Sequence, residues 1–325
     1  MILTVIFGLY SGFRPISPQG IIANLFFQGT GVLAISMAAL LIGLAVHRPP
    51  SPFDFVRTHP FIRHKSRRLV QAIPILIAVS VFLPAFSAMK SQVGTLYPYD
   101  WDPFFIELDV AIHGTDPWRM LQPFIGYPFI TFLIAMAYQI WILLLYIMMP
   151  LLCIWMRSRT LASQVLTSYF LCWFVIGGLF ANLFASVGPC FVEPFFGDRH
   201  FVPLMEYLNA ANAQYPLMFL DVQASLIEWQ QKGESELGRG ISAMPSMHVS
   251  VALLFFLATR KLSQAAGWFF GAFFLIILIG SVHTGYHYAV DGYASIILTL
   301  AIWFGVGWFV RRRIGRTKYA ANRGR

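Results

Sequence analysis

The sequence predicts an all-α integral membrane protein with six to seven transmembrane helices, and three observations support this fold class. Hydrophobic residues make up 58% and charged residues 11% of the 325 residues, and the mean hydropathy is +0.66. Soluble globular domains do not have such a composition. Several charge-poor apolar runs are long enough to cross roughly 30 Å of hydrocarbon as helices. Basic residues are concentrated in the segments between alternate runs, as topology requires.

Seven apolar runs follow one another along the chain. Six are long enough to span a membrane, whereas the run at 245–259 corresponds to a helix of about 22 Å, shorter than the hydrocarbon layer. Residues 1–15 precede the first run and are expected to form an interfacial or partly inserted helix. They do not resemble a signal peptide, because no basic region precedes the apolar part and no small-residue cleavage site follows it. The six long runs are 20–46, 69–89, 129–156, 162–187, 262–282 and 286–310.

We expect one membrane domain over residues 1–325. Its parts are N-terminal spans with interfacial helices at 1–128, a helical core at 129–310 and a basic tail at 311–325. The segment 94–128 mixes aromatic residues with Asp and Pro, which is typical of short helices in the headgroup layer. Its polar residues are expected to be solvated in that layer; they include Asp109, His113 and Asp116.

Positive charge predicts the orientation of the chain. If the seven runs alternate across the membrane, four segments on one side hold 17 of the 23 basic residues. That side is expected to be cytoplasmic, and it includes the C-terminus. The net charge of +9 therefore reflects the membrane topology and predicts attraction to anionic headgroups. Nucleic acid is not an expected partner. The four basic segments are 47–68, 157–159, 260–261 and 311–325.

A polar sequence, HTGYHYAVD, lies at the outer turn before the last run. Gly285 predicts a tight turn, and the last helix is expected to start near Tyr286. His287 and Asp291 would then lie one turn apart on one helix face. There the carboxylate can accept from one imidazole nitrogen and direct the other toward a substrate. Because polar residues at this depth are costly, a functional site is the favoured interpretation.

A second polar sequence, PSMH, opens the short run on the same side of the membrane. Pro245 suits the first position of a helix, Ser246 follows it, and His248 falls in the first turn. The helix is expected to start below the outer surface, where its free N–H groups and its dipole suit a phosphate. Adjacent antiparallel helices would bring His248 within a few ångströms of His287.

The motifs PSMH at 245–248 and HYAVD at 287–291 resemble those of the type 2 phosphatidic acid phosphatase (PAP2) superfamily. The similarity is greatest to its inositol-phosphorylceramide-synthase-like branch. The resemblance implies a PAP2-like helical core in which the histidine at His287 attacks phosphorus to form a phosphohistidine. It further implies that Asp291 orients this histidine, that His248 protonates the leaving oxygen and that Ser246 helps to hold the phosphate. It implies no cofactor and no metal ion.

Two phosphate-binding cations of the family are missing from this sequence. There is no Lys-x6-Arg-Pro first motif, and Ser281 stands where the phosphatases carry an arginine before the third motif. Lipid phosphotransferases of the sphingolipid-synthase type depart similarly, which favours transfer over hydrolysis. Arg239, nine residues before His248, is the first candidate for a replacement cation. Further candidates are Arg199, Arg119 and Lys90.

The sequence therefore predicts an enzyme in a bacterial inner membrane, with its active site on the periplasmic face. It would move a phosphate or phospho-headgroup from a phospholipid donor to a lipid alcohol such as ceramide or diacylglycerol. A phosphatase acting on phosphatidate or isoprenyl phosphates stays open. A proton-coupled transporter is a lower alternative, since intramembrane His and Asp can relay protons.

A metal site also stays open in the sequence. His283, His287 and Asp291 repeat at four-residue spacing and could supply ligands from one helix face. Gly285 interrupts that face, and no second cluster completes a ligand set. His283 alone is equally compatible with a structural role.

Overall fold

The structure, a computed structural model, confirms the predicted all-α membrane fold. It describes residues 18–58, 60–90, 93–94, 97–156, 158–231 and 240–323. Of these described residues, 82% are helical and none is in a strand. Six helices in the described part are long and apolar enough to cross a membrane. The predicted N-terminal helix of residues 1–15 lies outside the described residues.

The predicted apolar runs correspond to helices in the structure. The crossing segments are Ile21–His47, Arg68–Ser87, Pro128–Trp155, Arg159–Leu183, Gln264–His283 and Ala289–Arg313. The short run is the helix Met247–Thr259, too short to be counted among them. In chain order the helices are α1 (Pro18–His47), α2 (Pro52–Thr58), α3 (Pro60–Lys90), α4 (Asp102–His113), α5 (Pro117–Ile125), α6 (Pro128–Trp155), α7 (Arg159–Phe174, extended by a π-helical turn at Val175–Phe180 to Leu183), α8 (Val192–Phe196), α9 (Val202–Asn212), α10 (Met218–Gln231), α11 (Met247–Thr259), α12 (Gln264–His283) and α13 (Ala289–Arg323).

Two helices start later in the chain than the sequence predicts. Helix α13 begins at Ala289 rather than near Tyr286, because carboxylates accept the backbone N–H groups at this point. Helix α11 begins at Met247, and Pro245 precedes it instead of occupying its first position. Ser246 is the N-cap of α11, since its hydroxyl accepts the Val249 N–H at 3.4 Å.

The described chain divides into two compact units. The first combines the described part of Met1–Ala85 with Leu143–Ala162. Gly31 permits close packing in this unit, since a Cβ there would lie 2.7 Å from Ile147 Cδ1. Its buried apolar cluster consists of Val32, Ala72, Leu76, Ile147, Leu151 and Ile154. The expectation of a single membrane domain stays a prediction.

The second unit, Phe86–Ile142 with Ser163–Arg325, holds both polar motifs. Helix α11 packs against α12 and α13 in its centre. Ser250 of α11 and Thr299 of α13 share a buried 2.7 Å hydrogen bond. Gly292 lets α13 approach α12, because a Cβ there would lie 2.6 Å from Leu278 Cδ1.

Helices α4 and α5 confirm the short helices expected within 94–128. Each exposes large apolar side chains, among them Phe104 and Phe124, and each also buries part of its surface. The expectation that Asp109 and Asp116 are solvated is wrong, because their exposed fractions are 3% and 6%. Both carboxylates are turned inward and are hydrogen-bonded to other segments of the second unit.

Candidate active site

The two polar motifs meet in the second unit. The ring centroids of His248 and His287 are 5.7 Å apart, within the distance expected from the sequence. Backbone contact joins the motifs as well, since the Ser246 N–H points to the Asp291 carbonyl at 3.4 Å. The structure therefore brings together Ser246, His248, His287 and Asp291, whose chemical roles stay predictions.

The hydrogen bonds of His287 define its tautomer. Its Nδ1 lies 2.8 Å from the Ala243 carbonyl oxygen and 3.3 Å from Asp291 Oδ2. The Ala243 carbonyl can only accept, so Nδ1 carries the proton and Nε2 holds a lone pair. Burial lowers the pKa of His287 to about 3, and the positive charge of Lys90 acts in the same direction. At neutral pH the ring is therefore uncharged, and its Nε2 carries a free lone pair.

Asp291 is fully buried in the first turn of α13, and its Oδ2 lies 3.3 Å from His287 Nδ1 across the start of the helix. Its Oδ2 also accepts the Tyr288 N–H at 2.9 Å, which fixes the carboxylate. The predicted arrangement on a single helix face is therefore wrong, since His287 lies two residues before α13. The pairing survives because the Tyr288 N–H directs the carboxylate back toward the turn.

His248 is packed among aromatic rings that the sequence did not single out. The ring centroids of Trp141, Tyr138 and Tyr286 lie 4.2, 5.0 and 6.2 Å from that of His248. Trp141 Nε1 donates to the His248 carbonyl oxygen at 3.0 Å. In an aromatic-rich membrane sequence, the aromatic residues of α6 cannot be distinguished from lipid-facing ones. Only Tyr286 could have been linked to the site from the sequence, because it lies beside the motif.

Ser246 is fully buried at the N-terminus of α11. Its hydroxyl caps the helix through the Val249 N–H, and its own N–H points to the Asp291 carbonyl. The predicted phosphate-binding serine is thus part of the scaffold that sets the helix end beside the histidines. A phosphate there would meet the positive end of the helix dipole.

Lys90, the last residue of α3, is the described candidate cation whose charge acts on both imidazoles. Burial lowers its pKa to about 8, so it remains mostly protonated at neutral pH. Arg119 is paired instead with Asp116 at 2.9 Å, and Arg199 is exposed. The first-ranked candidate, Arg239, lies outside the described residues.

His283 lies in a separate hydrogen-bonded chain. Its Nε2 is 2.8 Å from Thr131 Oγ1, which in turn is 2.6 Å from the Tyr207 hydroxyl. The residue is fully buried at the end of α12, and the turn at Gly285 separates it from His287. In the part of the chain that the structure describes, no three His, Cys, Asp or Glu side chains form a group able to hold a metal ion.

Ser281 supports the turn that carries His287 through its backbone. Its carbonyl accepts the His287 N–H at 3.1 Å, while its hydroxyl bonds to the Leu278 carbonyl at 2.7 Å. The residue at the position of the missing family arginine therefore contributes to the scaffold of the turn.

A comparison with protein-family models now identifies the fold family. A model described as the PAP2 superfamily matches residues 104–305, which is more than half of the chain and includes both motifs. The chain belongs to the PAP2 superfamily. Members of this superfamily are generally phosphatases or phosphotransferases. No curated protein and no solved structure gives a significant match to this PAP2 protein, and its placement in the inositol-phosphorylceramide-synthase-like branch stays a prediction.

Proposed function

We propose that this PAP2 protein is a membrane lipid phosphotransferase. It moves a phosphate or phospho-headgroup from a phospholipid to a lipid alcohol of the ceramide or diacylglycerol type. The observation that carries the proposal is the geometry of His287, whose Nδ1 faces two acceptors while its ring lies beside His248. A buried, neutral imidazole held in one tautomer is suited to covalent catalysis.

In the first half-reaction, His287 Nε2 attacks the phosphorus of the donor. A nitrogen–phosphorus bond forms as the bond to the leaving alcohol oxygen breaks, and that oxygen takes its proton from His248. Burial lowers the pKa of His248 in the free protein, so this ring becomes protonated when the anionic donor lies beside it. The phosphorylated imidazole gains positive charge, which the Ala243 carbonyl and the Asp291 carboxylate stabilise through the Nδ1 hydrogen bonds. Such a positioned acid typically contributes about 10² to 10⁴ in rate.

In the second half-reaction, His248 accepts the proton of the acceptor hydroxyl. The hydroxyl oxygen attacks phosphorus, the nitrogen–phosphorus bond breaks, and His287 returns to its neutral form. Lys90 and the N-terminus of α11 supply positive charge for the phosphoryl oxygens in both steps. In each step, groups of the chain and of the two lipids supply and accept every proton and every bond that changes.

Two features favour transfer over hydrolysis. The exposed fraction of His287 is 4%, and aromatic rings surround its partner His248, so little water reaches the reacting atoms. The cations of the phosphatase motifs are also missing, as described above. Hydrolysis of phosphatidate or isoprenyl phosphates is the second candidate function, supported by membership of a superfamily that includes phosphatases.

We place the active site at the periplasmic, exoplasmic face of a bacterial inner membrane, with the C-terminus in the cytoplasm. The support is the distribution of basic residues along the sequence. Both lipids would then enter from the bilayer that surrounds the helices. Proteolysis of sealed, oriented vesicles tests this placement, because the basic tail should be cleaved from the cytoplasmic side.

A lipid-product assay tests the proposed function. Purified protein in mixed micelles receives a headgroup-labelled phospholipid, with or without ceramide, and His287→Ala protein serves as the control. Label on ceramide that requires His287 supports the transferase, whereas label only in water-soluble phosphate indicates a phosphatase. A product pattern unchanged in His287→Ala protein would refute the mechanism in both forms.

A further inference from the structure

Helix α4 carries two buried aspartates, Asp102 and Asp109, on one face. They are seven residues apart, two turns of an α-helix, so their side chains point in nearly the same direction. Their exposed fractions are 1% and 3%. Glu107 lies between them and is exposed. Burial is therefore specific to the two aspartates and is not shared by every acidic residue of this helix.

Asp109 caps α13 from a different helix. Its Oδ2 accepts the Ala289 N–H at 2.8 Å and its Oδ1 accepts the Val290 N–H at 3.0 Å. These are the first two residues of α13, whose N–H groups have no acceptor within the helix. A carboxylate at this end also interacts favourably with the helix dipole. Asp291 is the next residue, so Asp109 fixes the backbone immediately before the carboxylate that orients His287.

Asp102 holds the other side of the same turn. Its carboxylate accepts the Tyr288 hydroxyl at 2.7 Å, the Gly188 N–H at 2.9 Å and the Val187 N–H at 2.9 Å. Tyr288 is the neighbour of His287 in the sequence. Asp102 thus ties the residue after the nucleophile to the 187–188 backbone.

The 186–190 segment links this turn to the second motif. The Cys190 N–H donates to the Gly285 carbonyl at 2.8 Å, and the Ser186 carbonyl accepts the Ala243 N–H at 2.9 Å. Ala243 is the residue whose own carbonyl accepts from His287 Nδ1. Hydrogen bonds and the 186–190 backbone therefore connect Asp102 to Ala243 and to Gly285 in the turn before His287.

We propose that Asp102 and Asp109 are positioning residues that clamp the His287 turn and aim its Nε2 at phosphorus. The inference rests on the proposed phosphohistidine function and adds residues outside both motifs. Neither aspartate contacts the reacting atoms in this scheme. Each acts through backbone and tyrosine groups within two residues of His287 or Asp291.

The test compares Asp109→Asn, Asp109→Ala and Asp102→Asn proteins with Glu107→Gln as the matched control on the same helix. kcat and KM are measured in the lipid-product assay, together with the rate of phosphohistidine formation in a single turnover. We expect kcat and that rate to fall by about 10²-fold in Asp109→Ala, because misplacement of a reacting group by about 1 Å has this effect. KM should stay within about threefold, Asp109→Asn should retain more activity than Asp109→Ala, and Glu107→Gln should match the wild type.

Two outcomes would overturn the clamp. One is a kcat within twofold of the wild type in Asp109→Ala and Asp102→Asn. The other is an equal loss in the Asn and Ala variants accompanied by loss of folded, monodisperse protein, which would assign the aspartates to folding alone. A His287→Ala protein run in parallel separates the two proposals, since retained activity there refutes the phosphohistidine function itself.

Discussion

His287 and Ala243 are joined by a 2.8 Å hydrogen bond between the imidazole Nδ1 and the backbone carbonyl oxygen. His287 opens the HYAVD motif and Ala243 lies two residues before the PSMH motif, so the segment leading into α11 determines which nitrogen of His287 is protonated. A backbone carbonyl cannot donate, and this contact therefore keeps Nε2 unprotonated whether or not Asp291 is ionised. The contact joins the two motifs into one chemical unit.

Replacement of His287 by Ala should abolish transfer, because the chain loses the atom that forms the covalent intermediate. Wild-type protein quenched during turnover with phosphate-labelled donor should carry acid-labile, base-stable label, as a phosphohistidine does. His287→Ala protein should carry none. His47→Ala, at the exposed end of α1, is the control and should behave as the wild type. Label on His287→Ala protein would show that another residue is the nucleophile.

Asp291→Asn should lower kcat strongly with little effect on KM. The amide is a weaker acceptor than the carboxyl group for the Nδ1–H of the phosphorylated imidazole, while the Ala243 contact still holds the ring. We expect a loss of about 10² to 10⁴, in the range measured for acid–base and orienting groups. Steady-state kinetics with the labelled donor measure this change. An unchanged kcat would mean that Ala243 alone orients the nucleophile.

Lys90 gives the site a pH limit on the alkaline side. Its pKa is lowered to about 8 by burial, so its charge is present at pH 7 and is lost as the pH rises through about 8. kcat/KM should fall over that range. Lys90→Arg should remove this limit, because a guanidinium stays protonated. A profile that is unaltered in Lys90→Arg would assign the alkaline limit to another group.

Lys90→Ala should lower kcat/KM by about 10- to 10²-fold at pH 7, as expected for loss of one charge-assisted contact to phosphate. Lys261→Ala, an exposed lysine in the turn after α11, is the matched control and should have no effect. If both variants retain wild-type kinetics, the phosphate is held by other groups.

The amino-acid sequence predicted the parts of the site that depend on local signals. The apolar runs define helices because length and composition suffice for that inference, and the motif residues lie close together because their helices are consecutive. Lys90 was only one of several candidates, since its approach to the histidines depends on packing between distant segments. Asp109 was misjudged because an amphipathic helix in an aromatic-rich segment does not reveal which face is covered. The start of α13 was misplaced for the same reason, since its capping carboxylate comes from α4.

Trp141 offers a test of the aromatic surroundings of His248. Trp141→Phe removes the hydrogen bond from Nε1 to the His248 carbonyl and leaves that site with a smaller ring. A net hydrogen bond contributes about 0.5 to 1.5 kcal/mol, so kcat should fall by about two- to tenfold as His248 loses its fixed position. Trp268→Phe, whose side chain is 74% exposed, should be neutral. Equal activities of the two variants would show that Trp141 has no role in positioning His248.

Gly188 and Gly197 test the scaffold that holds the nucleophile. Both have positive φ, +90° and +71°: alanine at Gly197, which is left-handed helical, carries a backbone cost of about 1 to 2 kcal/mol, and the cost is larger at Gly188, whose ψ of 162° belongs to a region almost restricted to glycine. At Gly197 a Cβ meets nothing within 4 Å, whereas at Gly188 it would lie 2.5 Å from the Tyr286 carbonyl oxygen. Because Tyr286 precedes His287 and Gly188 donates to Asp102, only Gly188→Ala should displace the nucleophile's turn.

Thermal unfolding in detergent and the lipid-product assay measure the two effects separately. Gly197→Ala should lower the Tm slightly and keep the wild-type kcat. Gly188→Ala should lower both the Tm and kcat, since relief of the clash between the new Cβ and the Tyr286 carbonyl oxygen requires movement of the 186–190 segment or of the turn itself. Equal Tm and kcat values in the two variants would show that the turn tolerates displacement, which would contradict its role in aiming His287.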